Sequence, residues 1–232
     1  MSKFIEDVDI KQITTMIKDQ MSSEDMVSVL NSIYEKTLEG IPKVGSSVDS
    51  LAAEYLKRYE DPKLAANKMI NYQVLKTTVS GGLSGLGGVV SLPVTLPANI
   101  VSVLYVQLRM IACVAKLAGY DLSEDAVQSF VYACLGGISV NSVIKNAGGE
   151  FGKKFAISMI KKIPGDVIKD INKKVGFRLV TKFGSKGVVN LGKLVPGVGA
   201  VIGGGMDFLE TRIIGDRAIK MFFEGNDVTS VK

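Results

Sequence analysis

Carboxylates stand in two places where acid–base chemistry could be done: Asp121, Glu124 and Asp125 in one short stretch, and Asp207 with Glu210 behind an apolar, glycine-rich run. Such chemistry needs two groups held in a cleft with their pKa values pushed apart. The first trio instead has the composition of a helix start, where negative charge meets the free N–H groups of a first turn. Asp207 follows LVPGVGAVIGGGM and needs a cation or hydrogen-bond donors if that run is buried. Arg109, inside an apolar stretch of its own, has the opposite need. The two are therefore expected to form a structural ion pair rather than a catalytic one. There is no histidine in the 232 residues, which excludes a Ser-His-Asp triad, a Cys-His dyad and imidazole metal ligands. Cys113 and Cys134 are too few for a four-ligand zinc site and lie in apolar runs, so they read as buried thiols. Gly187–Lys193, GVVNLGK, fits the first seven positions of a phosphate-binding loop, but Leu194 stands where magnesium coordination needs Ser or Thr. Gly40–Ser46 is a second near miss that lacks the lysine. No metal, cofactor or enzymatic activity is expected.

Charge carries more information. The chain is +5 overall, but residues 145–193 hold 12 basic against 3 acidic side chains. Lys153, Lys154, Lys161 and Lys162 flank an apolar face of Phe151, Phe155, Met159, Ile160 and Ile163. Beyond Pro164, Lys169, Lys173, Lys174, Arg178 and Lys182 alternate with Ile168, Ile171, Val175 and Leu179 at helical spacing. These nine cations form a candidate surface for anionic lipid, each contributing about 1 kcal/mol near a charged bilayer. A solvated helix face over a core has the same pattern. Nucleic acid is not expected, because the block carries no recognition motif or stacking platform.

The elements that must position these residues are helical. Hydrophobic residues make up 47% and charged residues 22%, with mean hydropathy +0.26, which excludes a disordered chain. Ser22 or Ser23 can cap a helix with Met26, Val27, Leu30, Ile33 and Leu38 on one face and Gly40 as its stop. Ser46 with Asp49 has the form of a capping box, and Asp61-Pro62 starts the next helix. Residues 77–108 contain no charged side chain, a run of 32, and residues 126–144 contain none over 19. Each is long enough to span a bilayer. The first is broken by Gly81, Gly82, Gly85, Gly87, Gly88, Pro93 and Pro97, leaving a long helix from about Pro97 to Leu117, closed by Gly119. Arg109 at mid-span would cost about 2.5–3.5 kcal/mol, which disfavours a plain transmembrane helix. A second helix, opened by Ser123 with Glu124 and Asp125 and bodied by Ala126–Ile144, returns antiparallel. Gly199 and Gly203, four apart like Gly81 and Gly85, can present flat strips for close helix approach. The pattern predicts an all-α, multi-helix bundle with Gly-rich apolar helical hairpins, an N-terminal helical extension over 1–40 and a helical domain over 41–225. The start, MSKFIEDVDIKQ, lacks a secretory signal pattern, so a cytoplasmic location is expected.

Residues 81–121, GGLSGLGGVVSLPVTLPANIVSVLYVQLRMIACVAKLAGYD, resemble the signature of EcsC family proteins: a Gly-rich stretch, a Leu-Pro pair, a long helix ending in Arg and Ile-Ala, then Gly-Tyr-Asp. The run NLGKLVPGVGAVIGGGMDFLETRIIGDRAIKMF resembles the family's second block. The Pro-Val-Gly hairpin is also similar to the membrane-associated domain found after some bacterial GTPase domains. The resemblance implies a bacterial protein peripheral to, or partly inserted in, the inner membrane. Its partners would be anionic membrane lipids and a membrane protein such as an ABC transporter, from the family's namesake. It supplies no catalytic residues. The alternative is a soluble helical binding module with a closed core or a lipid-sized apolar pocket.

Overall fold

The computed structural model describes residues 21–42, 44–79, 96, 98–146, 160, 162–183 and 199–225, without the side chains of 76–79, 98, 99 and 199–208. Among the described residues there are eight helices and no strand: α1 (Ser23–Glu39), α2 (Val48–Arg58), α3 (Pro62–Val79), α4 (Ala98–Leu117), α5 (Asp125–Gly136), α6 (Val140–Asn146), α7 (Gly165–Phe183) and α8 (Gly199–Glu224). The expected all-α bundle is what the chain forms.

Local chemistry sets the ends. Ser22 caps α1 in a reciprocal box: its Oγ accepts from the Asp25 N–H (3.0 Å), and Asp25 accepts from the Ser22 N–H (2.8 Å). Gly40, at φ 82°, ends that helix. The buried face of α1 is Met26, Val29, Leu30, Ile33, Tyr34 and Thr37, while Val27 and Leu38 are half-buried. Asp61 Oδ1 accepts from the Leu64 N–H (2.6 Å) and starts α3 at Pro62 as expected.

Three expectations need correcting. Ser47, not Ser46, caps α2, its Oγ accepting from the Ser50 N–H (3.2 Å). Ser46 is committed elsewhere: its carbonyl accepts from Arg109 Nε (3.0 Å) and Nη2 (2.8 Å), and its Oγ from Nη2 (3.1 Å). The apolar run 126–144 is not one helix, for α5 and α6 meet at a bend of 117°. Gly137 adopts the left-handed conformation, φ 63°, and the Ile138 N–H donates back to the Ala133 carbonyl (2.9 Å), closing α5. Its start also differs, since the residue at the cap is Glu124, whose side chain makes no capping bond, while Ser123 donates to Asp121 Oδ1 (2.7 Å).

Helix α4 is the centre, packed against α1, α2, α3, α5 and α8. Residues Leu104, Leu108, Met110, Ile111, Ala112, Cys113, Val114 and Ala115 are wholly buried. Around it, Tyr34 donates to the Leu122 carbonyl (3.0 Å) and Tyr132 to Asn31 Oδ1 (2.9 Å), tying α1 to α5 and the loop before it. Gly176 brings α7 against the start of α1, where a Cβ would lie 2.3 Å from the Ser23 carbonyl oxygen.

Helix directions follow from the contacts. Lys63 pairs with Glu224 (2.9 Å) and Arg212 donates to Asn71, so α3 and α8 are antiparallel. Gln107 donates to Thr211 (3.4 Å) and Tyr120 packs edge-on against Phe222 (5.1 Å between centroids), so α4 and α8 run together. Lys182, near the end of α7, pairs with Glu210. The C-terminal ends of α3 and α7 and the N-terminal ends of α4 and α8 thus gather at one end of the bundle.

Candidate functional site

The buried stripe of α7, Val167, Ile171, Val175, Gly176 and Leu179, leaves Lys169, Asp170, Lys173, Lys174, Phe177, Arg178, Thr181 and Lys182 exposed. That division follows from 3.6 residues per turn, with apolar residues every three or four. Between α7, the end of α5 and α8 lies an open groove of about 970 Å³. Its walls bring together Lys173, Lys174, Arg178 and Lys182 of the predicted basic surface, with Asp170, Phe177, Glu210 and Arg217. Lys182 is paired with Glu210 across the groove. Phe177 is 66% exposed.

At the inner wall, two guanidinium groups meet the left-handed Gly137. Arg178 Nη1 donates to the Gly137 carbonyl (3.2 Å). Arg217 packs on the same residue, its Cζ and Nη1 each 2.9 Å from where a Cβ on Gly137 would be. Burial, and then the field of Arg178, lower the proton affinity of Arg217. Arg178 thus meets a C-terminal carbonyl of α5, where positive charge is favourable.

The remaining expected residues are elsewhere. Lys162 and Lys169 are exposed outside the groove, and Lys153, Lys154 and Lys161 lie outside the described residues. Arg109 is 9% exposed and bonded to Ser46 at the α2 entry; the side chain of Asp207 lies outside the described residues, so that pair is not placed. The carboxylates considered for acid–base chemistry have structural engagements: Asp121 accepts from Ser123, Asp125 sits in the first turn of α5, and Glu210 holds Lys182. Cys113 and Cys134 are buried free thiols, and burial pushes the Cys113 thiol up to about 12. In the Gly40–Ser46 near miss, the N–H groups of Ile41, Val44 and Gly45 all donate within the loop, so they do not point at a phosphate. The Gly187–Lys193 stretch lies outside the described residues.

Arg217 was not anticipated. It sits in a C-terminal segment whose charges nearly cancel, so counting by blocks hid it. The available signal was its seven-residue spacing from Glu210, which puts both on one face of α8.

Fold and groove together define a helical bundle built around one buried apolar helix, with a cationic flank. The chain belongs to the EcsC protein family, whose model matches residues 2–223. No curated protein and no solved structure matches it.

Proposed function

We propose that this protein works without catalysis at a membrane surface, docking its α7–α8 flank on anionic lipid. The observation that carries the reading is Phe177, two-thirds exposed between the turns that hold Lys173, Lys174 and Arg178. Large apolar groups beside cations are the composition of an interfacial surface, with the ring entering the headgroup boundary and the cations meeting lipid phosphates. The neighbouring surface supports it. Leu209 (61% exposed) and Ile213 (41%) lie one turn apart on α8, and Leu75 (57%) stands near them on the antiparallel α3. These apolar side chains lie towards the end of the bundle where α3 stops. Association is peripheral in this reading. The one described helix long and apolar enough to cross a membrane, Ile100–Leu117 in α4, has 83% of its window inside the bundle. The competing reading, a soluble module with an apolar pocket, draws less support from a groove lined by so many charges. A transporter partner is not needed to explain the groove.

Flotation of the full chain tests the proposal, using phosphatidylcholine vesicles with and without phosphatidylglycerol. Binding should require the anionic lipid and fall steeply with added salt, because exposed charges are screened over about 8–10 Å at physiological ionic strength. Phe177→Ser and the double change Lys173→Glu, Lys174→Glu should each weaken it. Absence of flotation at low salt would sink the reading.

A further inference from the structure

We infer that Arg178 and Arg217, converging on Gly137 at the end of α5, form a binding site for a phosphate monoester carried by a lipid headgroup. This rests on the membrane-surface reading and adds the class of ligand. Arg178 already serves the end of α5 with a single bond to the Gly137 carbonyl. Arg217 is a second guanidinium on the same residue, half-buried, with no carboxylate partner among the described residues. The acids near it are spoken for: Asp216 pairs with Arg212 (3.2 Å) and Glu210 with Lys182. Asp170 also lines the groove, but lies eight residues before Arg178, roughly 12 Å along α7. Two like charges in a partly desolvated corner repel each other, so an anion between them recovers what their approach costs.

The chemistry of that anion follows from the donors. Each guanidinium presents five N–H groups in a planar fork that fits paired phosphate oxygens, and Arg178 spends one on Gly137. A phosphate monoester loses its second proton near pH 6, and neighbouring cations draw it off more readily, giving a dianion at neutral pH. Two guanidinium charges then meet two phosphate charges. A diester offers one. Lys174, one turn before Arg178, adds a third cation at the mouth, and Phe177 beside it provides the apolar contact that a lipid has and a small soluble phosphate lacks.

The test compares vesicles of equal surface charge containing either phosphatidic acid or phosphatidylglycerol, with the full chain. Phosphatidic acid should bind about tenfold tighter, the worth of one charge-assisted hydrogen bond. Arg217→Gln should bring the ratio of the two affinities to about one. So should Arg178→Gln, whose exposed side chain leaves folding intact if Arg217→Gln does not; melting temperatures verify both. Equal affinities in the parent chain, or a ratio unchanged in both variants, would overturn the inference and leave the membrane reading in place. Soluble glycerol phosphate supplies the other arm. If it raises the melting temperature of the parent but not of Arg217→Gln, while neither vesicle binds, the lipid source is overturned together with the membrane reading.

Discussion

Helices α4 and α7 have nearly the same length, 20 and 19 residues, and opposite surroundings. α4 is apolar over most of its surface and is packed by five helices, so most of its side chains go into the core. α7 is apolar along one stripe and cationic along the rest, and its outer half faces the groove. By hydropathy alone α4 is the candidate for lipid. The comparison teaches that an apolar helix already enclosed has little left to offer a membrane, whereas a modest helix with an exposed ring among lysines has much.

That contrast can be broken at four points. On α4, Leu108→Ala leaves a cavity in a wholly buried site and should cost about 2–5 kcal/mol, read by denaturant unfolding. A loss under half a kcal/mol would mean that α4 is less enclosed than described. At the junction of α7 with α1, Gly176→Ala forces a Cβ against the Ser23 carbonyl; about 1–3 kcal/mol should be lost, with the proposed vesicle binding reduced as α7 shifts. Normal stability in this variant would contradict the close approach.

The third concerns pH. Cys113 holds its proton up to about 12 in the folded state, against an ordinary thiol value of 9.0. Between these limits the unfolded chain binds fewer protons than the native one, so this thiol's contribution to stability is complete below pH 9 and fades as pH climbs towards 12. Cys113→Ala should therefore show a shallower alkaline decline than the parent in parallel unfolding curves; superimposable slopes would remove the effect. The smallest stability change sharpens the contrast on α7 itself. Lys173→Gln with Lys174→Gln, and Lys162→Gln with Lys169→Gln, should each alter stability by no more than about 0.5 kcal/mol. The first pair should reduce flotation more than the second, because it lines the groove. Equal losses would mean that the cations act as a diffuse field.

Much of the fold was legible because local rules act alone at many sites. Asp61-Pro62, Ser22 with Asp25, and Gly40 each fix a helix end through neighbours within four residues. The α7 stripe followed from periodicity. What escaped depends on partners far along the chain. Ser46 and Ser47 are equivalent caps by sequence, and Arg109, 63 residues away, takes one of them. The break at Gly137 falls in an uncharged run whose length suggests one helix, although Gly136-Gly137 is itself a local stop signal. A guanidinium 80 residues later packs on the site a side chain would occupy. The candidate groove was half visible for the same reason: one wall is an amphipathic helix, while the other is formed by the end of α5 and by α8, whose Arg217 comes from a segment with no basic excess.

The position of α4 has a mechanical implication. With α1, α2, α3, α5 and α8 all leaning on it, this rod cannot slide out into a bilayer without stripping the cover from five partners at once. Under the proposed reading, contact with lipid would leave the architecture whole, and detachment would need no refolding.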